Sequence, residues 1–456
     1  MKMKKVLFVA YEFPPEGCRG TKRAMKFIKY MLPMSWEPVV LTVENPNYEF
    51  HDGSLLAELP SNLKINRAVT LESLFVRTAC EGGEVHDSGA AKRDLSGMPY
   101  YRRLLLGIYH GLGRFFRVPD SRMLWLPFAV VKGLRLIRRE NIDVIFASGP
   151  SFTNHLVGVA LKKLTGKPLV IDFRDAWVSD PARRVKDSWQ RRTIVRMEKM
   201  AVTVADKVVS TTEGITLDFI ERYGAQNGKF ITITNGYDLD DFKELKVDER
   251  ENGSRFRIVH AGTLGWERNP RQFLKAVGNL LKENKEMREN VEIVFVGQNT
   301  PFSDGRTIED YISENGLEKN VRFTGFVSRK QSLEEIAGAH LLLLIIGKVP
   351  PEESFIYGIS AKMYDYALAN RPVLTIAEQG ASADMAARLR LGAVITPDDN
   401  ESIKESIRSY YMEFKEQGQI DLKINSDLLN RFNFTQLTDT LVRNFNQITV
   451  STPKFD

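Results

Sequence analysis

Short apolar runs rich in β-branched residues alternate with amphipathic stretches along the whole chain. Such runs predict buried strands, and the amphipathic stretches predict helices between them. In the first half the predicted strands are Val6–Ala10, Pro38–Thr42, Val144–Ser148, Leu169–Phe173, Lys207–Thr211 and Phe230–Thr234. After a polar stretch from Leu239 to Ser254, the predicted strands are Arg257–Ala261, Val291–Val296, Val321–Phe323, Leu341–Ile346, Val373–Thr375 and Ala393–Ile395. Strands that alternate with helices form parallel sheets, so the restart predicts two doubly wound, Rossmann-like α/β domains.

The start of the second series of predicted strands also indicates where the domains begin and end. We place the first domain at residues 1–240 and the second at residues 254–430. A last helical segment, Thr435–Asn446, predicts that a helix at 435–450 packs back on the first domain. In open parallel sheets, ligands bind beyond the carboxyl ends of the strands. Two such sheets that face each other bring both sets of strand ends to a central cleft, so function is expected at the strand ends.

Size and composition agree with this architecture. The chain has 456 residues, of which 43% are hydrophobic and 27% charged, as expected for two globular domains. The longest apolar stretch, near Met123–Ile137, is interrupted by Pro127 and Lys132, so we expect no membrane span and a cytoplasmic protein. With only Cys18 and Cys80, neither a disulfide framework nor a cysteine zinc site is available.

The net charge of +6 includes one basic cluster. Residues Tyr101–Arg139 carry nine Lys or Arg against one acid, Asp120, and are interleaved with aromatic and aliphatic side chains. This composition suits a helix on an anionic membrane surface at the cytoplasmic face, and it equally suits a solvated helical face with core-facing aromatics. Both interpretations stay open. No nucleic-acid-binding module accompanies the charge, so no nucleic-acid partner is expected.

Two strand ends of the first domain carry candidate chemistry. The first strand leads into Tyr11–Gly20, where Gly17 allows close backbone approach before a helix from about Thr21 to Met31. The strand Leu169–Phe173 leads into Asp172-Phe173-Arg174-Asp175-Ala176-Trp177. Charges at a strand end are costly to bury unless they are paired, so this segment predicts either a ligand site or an Arg–Asp structural network. A histidine at another strand end, His155, is interpreted as a packing residue.

The second domain repeats the arrangement with a more basic loop. Val259–Pro270 lies between a strand and a helix, and contains Gly262, Thr263, Gly265 and Arg268. The glycines permit close approach of a ligand, and Arg268 near the helix start suits a diphosphate. Further along the chain, Gly297 and Phe326 follow two strands and predict a slot for a nucleobase, and Lys362 and Asp365 open another helix. A carboxylate there can accept hydrogen bonds from both ribose hydroxyls.

The order of these motifs resembles the retaining glycosyltransferases of the GT-B fold, family 4, along nearly the whole chain. The resemblance rests on the Pro-Pro loop after the first strand, the Asp172–Trp177 segment, Thr234–Asp238, the Gly262–Pro270 loop and Lys362–Pro372. Similarity is greatest to members that build exopolysaccharide or cell-surface glycans. It implies an acceptor-side first domain and a donor-binding second domain.

At several positions this sequence differs from the motifs of the family. The family usually offers an arginine and, five residues on, a lysine to the diphosphate, where this chain has Thr263 and Arg268. The family's paired glutamates would fall on Tyr357 and Asp365, so only the second keeps its acid. Many members have a histidine where this chain has Arg174-Asp175. Asp175, with Arg174 as its partner, is therefore the candidate acceptor-side base or hydroxyl-orienting group.

The resemblance implies transfer of a sugar from a nucleoside diphosphate to an acceptor hydroxyl of a glycan or lipid-linked acceptor. Negative charge grows on the leaving diphosphate, and Arg268 with the Gly262–Gly265 amides would stabilise it without a metal or cofactor. Asp238-Leu239-Asp240 resembles a metal-binding pair, but it lies at the predicted linker and is not assigned a metal. Three alternatives remain: a GT-B sugar-nucleotide epimerase, a catalytically silent sugar-nucleotide-binding protein, and a membrane or nucleic-acid adaptor.

Overall fold

The chain divides into two compact units. The computed structural model describes residues 3–17, 20–44, 46, 51–71, 118–149, 151–179, 188–226, 228–243, 245, 255–266, 268–302, 304–347, 358–418, 420 and 422–450. Unit 1 comprises Met1–Ile233 and Thr438–Asp456, and unit 2 comprises Thr234–Leu437.

The segment after residue 233 belongs to unit 2, whereas the sequence placed the boundary at 240. The hydrogen bonds of Tyr237 explain the difference. Its N–H donates to the carbonyl of Phe432 at 3.0 Å, and its carbonyl accepts from the N–H of Phe434 at 3.0 Å. These bonds tie the start of unit 2 to its end.

Fifteen strands are found in the described residues, and all but two belong to two large sheets. Their bounds are β1 Lys4–Val9, β2 Trp36–Val43, β3 Lys64–Ala68, β4 Val144–Ser148, β5 Leu169–Phe173, β6 Lys207–Ser210, β7 Phe230–Thr232, β8 Phe256–Ala261, β9 Leu264–Trp266, β10 Val291–Val296, β11 Asn299–Phe302, β12 Val321–Gly325, β13 Leu341–Ile345, β14 Val373–Ile376 and β15 Val394–Ile395. The short strands β9 and β11 pair with each other.

Helices connect these strands. Their bounds are α1 Thr21–Met31, α2 Leu126–Glu140, α3 Phe152–Thr165, α4 Ser188–Val204, α5 Glu213–Tyr223, α6 Asp240–Lys243, α7 Arg271–Glu283, α8 Lys285–Asn290, α9 Ile308–Asn315, α10 Arg329–Ala337, α11 Lys362–Leu368, α12 Ala381–Leu389, α13 Asn400–Gln417, α14 Ser426–Asn430 and α15 Phe434–Val450. Several begin at a polar cap, as the sequence rules for helix starts require. Thr307 with Asp310 opens α9, and Ser328 with Gln331 opens α10, each as a reciprocal capping box.

Each large sheet is parallel and doubly wound. The sheet of unit 1 has the strand order β3-β2-β1-β4-β5-β6-β7, and that of unit 2 has the order β12-β10-β8-β13-β14-β15. The chain reverses direction across the sheet between β1 and β4 in unit 1, and between β8 and β13 in unit 2. Ligands of open α/β sheets bind outside the carboxyl ends of the strands at this point. The two switch points are therefore where a site is expected in each unit.

Helix α15 returns to unit 1 and packs on its first strands. The ring of Phe445 lies 5.2 Å from that of Trp36 and 5.8 Å from that of Phe146, and Lys4 donates to Asn446 at 3.1 Å. Phe146 also contacts Phe8 of β1, with ring centroids 4.8 Å apart. The last helix thus completes an aromatic core that begins with the first strand.

The sequence pattern locates most strands but misses β3 and the short strands β9 and β11. Predicted and observed bounds coincide for β4, β5 and β10, and differ by a few residues elsewhere. The residues of β3 read Lys-Ile-Asn-Arg-Ala, and β3 is the edge strand of its sheet. An edge strand pairs on one side only and needs no continuous apolar run, so the pattern gives no signal there.

The basic cluster falls partly outside the described residues, which resume at Val118. Within the described part, α2 packs in unit 1 with Ala129, Gly133, Leu136 and Ile137 buried. A Cβ atom at Gly133 would lie 2.8 Å from Leu161 of α3. Residues 126–140 therefore form a packed helix with one solvated face. Among the described residues, no helix is both long and apolar enough to cross a bilayer.

Candidate functional site

The carboxyl end of β8 is a crowded, glycine-rich corner next to β13. Gly262, directly after β8, has φ of 124°, a conformation that L side chains rarely adopt. Its N–H donates to Val296 at 2.6 Å. A Cβ atom at this position would collide with Nζ of Lys362, so the ammonium of Lys362 lies directly on the Gly262 backbone. The first residue of α11 thus delivers a cation to the switch point.

His260 of β8 is fully buried beside that cation. Its Nδ1 lies 2.9 Å from the carbonyl oxygen of Leu343, and its Nε2 lies 3.5 Å from Nζ of Lys362. Because a carbonyl can only accept, Nδ1 carries the proton of the neutral ring and Nε2 faces the ammonium. Burial, then the charges of Lys362 and Arg268, hold the pKa of His260 well below 6.5. His260 is therefore a neutral imidazole that adds no charge to the two cations around it.

Arg268 is held at the same corner by a tight turn. Its N–H donates to the carbonyl of Gly265 at 2.7 Å, and the N–H of Gly265 donates back at 3.4 Å. Gly265 has φ of 139°, and a Cβ atom there would collide with Oγ1 of Thr300. The charge of Arg268 acts on both His260 and Tyr366. Lys362 thus contacts the imidazole of His260, and the charge of Arg268 also lowers the pKa of that ring.

Tyr366 fixes the end of β8 against β13. Its hydroxyl accepts from the N–H of Ala261 at 2.8 Å and donates to the carbonyl of Leu343 at 3.4 Å. Burial raises the pKa of Tyr366 further above its already high ordinary value, so the hydroxyl keeps its proton. No role for His260 or Tyr366 is predicted from the sequence. Their positions in an apolar strand and on the buried face of a helix resemble ordinary core positions.

Asp365 forms an ion pair in the structure. Nη1 and Nη2 of Arg329 donate to its two carboxylate oxygens at 3.0 and 2.8 Å, and Nη2 also donates to Asp241 at 3.2 Å. Burial alone would lower the pKa of Arg329, but Asp365 and Asp241 more than reverse that effect. Each carboxylate oxygen has a second lone pair, so the pairing is compatible with a further hydrogen bond to a ligand. Tyr357, the other position of the predicted acidic pair, lies outside the described residues.

The predicted base slot brings together Gly297 and the end of β12. Gly297 has φ of 128° and forms an isolated bridge with Gly325. A Cβ atom at Gly297 would lie 3.0 Å from the carbonyl carbon of Gly262, so the two glycine turns are in contact. Phe326 follows with 47% of its surface exposed, which is unusual for a phenylalanine. Thr263, half-buried, lies between the Gly262 turn and β9.

In unit 1, Asp172 belongs to a structural network. It is fully buried; Nε and Nη2 of Arg23 donate to its carboxylate at 3.0 and 2.9 Å, and Ser148 donates at 2.7 Å. Nη2 of Arg23 also donates to the carbonyl of Ile233 at 2.7 Å. For this residue the alternative of an Arg–Asp network is the correct one.

Arg174 and Asp175 lie beside that network. Nη1 of Arg174 donates to the carbonyl of Gly20, at the start of α1, and its carbonyl accepts from Thr211 at 2.7 Å. Burial lowers the pKa of Arg174, and Asp175 acts against that shift. Asp175 is exposed, whereas Arg174 is half-buried. Gly17, half-buried, follows Glu16, which bridges to His51.

His155 and Trp177 line the interior behind this edge. Nε2 of His155 lies 3.2 Å from the carbonyl of Asp172, and burial lowers the pKa of the ring to about 4. Trp177 stacks on Phe152 with ring centroids 4.4 Å apart. His155 is therefore a packing residue, as the sequence interpretation has it.

No group of three or more potential metal ligands is found within the described residues. Asp238 of the Asp-Leu-Asp segment is fully buried, and its carboxylate accepts from the N–H of Asp240 at 2.9 Å. This carboxylate thus binds the backbone of the first residue of α6.

Two doubly wound parallel sheets, with charged residues at the carboxyl ends of their strands, are the architecture of the GT-B class. Residues 89–241 match the family Glycosyltransferase Family 4, and residues 241–420 match Glycosyl transferases group 1. The chain is therefore a glycosyltransferase that carries the two domains of this class in sequence.

Individual relatives are distant. The D-inositol 3-phosphate glycosyltransferase of Streptomyces avermitilis is 25% identical over 200 residues, so the match spans 41% of this chain and 42% of that protein. Anabaena HepE in complex with UDP-glucose has a TM-score of 0.61 at 16% identity, covering 97% of this chain and 99% of its own. A putative UDP-N-acetylglucosamine 2-epimerase from Listeria monocytogenes has a TM-score of 0.54 at 12% identity, covering 100% and 98%. At such identities the structural likeness shows the fold alone.

Proposed function

We propose that this glycosyltransferase moves a sugar from a nucleoside-diphosphate sugar to an acceptor hydroxyl, with the donor bound in unit 2. The observation that carries the proposal is the position of Lys362, 3.5 Å from the neutral His260, beside left-handed glycines at the β8–β13 switch point, with Arg268 in the turn that follows. Two cations beside a glycine backbone suit a diphosphate, which carries two or more negative charges.

In this mechanism the bond between the anomeric carbon and the diphosphate oxygen breaks, and a bond from the acceptor oxygen to that carbon forms. Charge grows on the leaving diphosphate, and the cations stabilise it because they are already in place before the reaction. The acceptor's proton leaves on the departing phosphate. The neutral state of His260 supports this arrangement, since a third cation would repel the other two.

The other candidate donor contacts follow from the same corner. Asp365, in the first turn of α11, is the proposed acceptor for the ribose hydroxyls, and Phe326 offers an exposed ring to the base beside Gly297. Retention of the anomeric configuration, and a role in surface polysaccharide or glycolipid assembly, are proposed on the resemblance of the motifs. No metal or cofactor is required by this scheme.

A thermal-shift panel of UDP-, GDP- and ADP-sugars tests the donor assignment. A ligand at a hundred times its Kd stabilises the folded chain by about 2.7 kcal/mol, so a true donor raises the unfolding midpoint measurably. The best donor is then incubated with and without acceptors, and products are separated by mass and configuration. Transfer to an acceptor supports the proposal; an epimerised donor without acceptor supports an epimerase instead; binding with no turnover indicates a silent binding protein.

Peripheral membrane contact is a further proposal, based on the charge of residues 101–139. Neutralising Arg102, Arg103, Arg114 and Arg117 together should release the protein from anionic vesicles, because each basic residue near such a surface contributes about 1 kcal/mol. If binding of the protein to anionic vesicles does not change when these four charges are removed, the proposed membrane contact is wrong. These four residues lie outside the described part of the chain.

A further inference from the structure

Glu12 lies where the sheet of unit 1 reverses its strand order. It comes three residues after β1, which pairs with β2 on one side and with β4 on the other. Asp175 follows β5, one strand further from this switch point. Since ligands of open α/β sheets bind at the switch point, Glu12 is the better-placed carboxylate of the two.

The backbone that carries Glu12 is held on both sides. The N–H of Tyr11 donates to Asn154 at 3.2 Å, and its carbonyl accepts from Thr42 at 3.1 Å. The Tyr11 ring packs edge-on against Trp125 with centroids 5.4 Å apart. A carboxyl group on so constrained a backbone has a defined position, as a group that orients a substrate must have.

The surroundings of Glu12 contain charges of both signs. A Cβ atom at Gly20 would lie 2.8 Å from Cβ of Glu12 and 3.3 Å from Nη1 of Arg174, so these groups share one corner. Arg122 and Asp120 face it from the segment before α2. Among the described residues, however, Glu12 forms no ion pair with any of these groups, and its side chain is only half-buried. It remains open to a hydrogen bond from a ligand.

The surroundings of Glu12 shift the pKa of its carboxyl upward. Burial raises the pKa of the Glu12 carboxyl; Arg122 and Arg174 lower it only in part, and Asp120 raises it further. Ionised Glu12 is therefore held at a cost to the folded state. Such a cost is common where a group serves a ligand rather than the fold.

We propose that Glu12 is a positioning residue for the acceptor, whose carboxylate accepts a hydrogen bond from the reacting hydroxyl of a sugar or polyol. The inference rests on the proposed transfer function and adds the acceptor contact to it. Glu12 fixes the orientation of this hydroxyl, and the proton still leaves on the departing phosphate. A charge-assisted hydrogen bond of this kind makes acceptor use depend on ionised Glu12.

The test compares Glu12→Gln with the matched control Glu213→Gln, which changes an exposed glutamate of the same unit. Three quantities are measured: acceptor-dependent transfer, acceptor-independent hydrolysis of the donor, and the unfolding midpoint at pH 7. In Glu12→Gln we expect kcat/KM for the acceptor to fall about tenfold to a hundredfold, because a charged hydrogen bond is lost. Donor hydrolysis should fall less than transfer, because it does not use the acceptor hydroxyl, and the midpoint should rise, because an unfavourable charge is gone. Glu213→Gln should match the wild type in all three.

A pH profile provides a further measurement, one that would not change if Glu12 had only a structural role. Wild-type kcat/KM for the acceptor should fall on the acid side as Glu12 takes a proton, and this limb should be absent in Glu12→Gln. If Glu12→Gln transfers sugar to the acceptor as well as the wild type does, this inference is wrong, and the proposed function is unaffected. A fall in the midpoint together with equal losses of hydrolysis and transfer also overturns the inference, in favour of a structural role. A wild-type chain that neither binds nor hydrolyses any sugar nucleotide overturns the proposed function, and this inference with it.

Discussion

At the scale of single residues, neighbouring groups determine the protonation state of His260 in β8. His260 stays neutral because burial and two adjacent cations all oppose a third positive charge. Its neutral Nε2 faces Lys362, while Nδ1 is committed to the backbone of β13. This arrangement concentrates positive charge in Lys362 and Arg268, the two groups able to meet a diphosphate.

Arg268→Ala should lower turnover about a hundredfold or more, because one of the two cations that stabilise the leaving diphosphate is lost. Steady-state kinetics with the best donor and acceptor measure it. The matched control is Arg271→Ala, which removes an exposed arginine at the start of α7. Turnover in Arg268→Ala no lower than in Arg271→Ala excludes the diphosphate role.

Asp365→Asn should weaken nucleotide binding about tenfold, because the ribose hydroxyls lose a charged acceptor. Titration calorimetry with the nucleoside diphosphate measures the Kd. Arg329→Gln is the control, since it removes the ion pair but keeps the carboxylate. It should lower the unfolding midpoint and leave affinity closer to wild type. Equal losses of affinity in both variants would mean that Asp365 acts only through its ion pair.

At the scale of elements, the packing of α2 bears on the two interpretations of the basic cluster. One is a helix on a membrane surface, and the other is a solvated helical face with core-facing aromatics. Gly133 lies against Leu161 of α3 and Leu41 of β2 with no space for a side chain. A helix with this contact is part of the unit 1 core layer. Its charged residues then occupy the opposite face.

Gly133→Val should lower the free energy of unfolding by about 1–3 kcal/mol, because added methyl groups must displace packed leucine atoms. Denaturant titration measures the midpoint. The control is Val131→Thr on the same helix, at a position 50% exposed, which should change stability by less than about 0.5 kcal/mol. Wild-type stability in Gly133→Val would contradict the packing of α2 on α3.

At the scale of the whole molecule, buried histidines make stability depend on pH. Burial lowers the pKa of His155 and of His340 to about 4, and that of His260 lies well below 6.5. In each case the folded chain binds its proton less readily than the unfolded chain. Stability from these groups is therefore present above the unfolded pKa near 6.5, and is lost as the pH falls below it.

The unfolding free energy should fall between pH 6.5 and 4 by up to about 1.4 kcal/mol per pH unit for each such histidine. Glu12 acts in the opposite direction, because its raised pKa makes protonation favour the folded chain. Denaturant midpoints across this range measure the slope. His340→Asn should reduce the slope by about one histidine's share, and an unchanged slope in that variant contradicts the assignment.

Much of the architecture could be predicted from local sequence alone. Apolar runs and the restart after residue 254 predict two doubly wound sheets, because buried parallel strands need continuous apolar residues and helices need an amphipathic period. Gly262, Gly265, Arg268 and Lys362 could be found because glycines and cations between a strand and a helix depart from what packing requires. These features can be found from the sequence because the residues of each motif are adjacent in the chain.

Only the tertiary structure decided which partners those residues have. His260 and Tyr366 resemble core residues until Lys362 and Ala261, about one hundred positions away along the chain, are brought beside them. Asp172 pairs with Arg23, Asp365 pairs with Arg329, and Glu12 lies in a charged corner where no described residue forms an ion pair with it. Electrostatic energy depends on distance in space and on burial, neither of which a one-dimensional pattern contains. Hence the sequence determined the sheets and their strand-end chemistry, and the folded chain determined the charge state and pairing of each group.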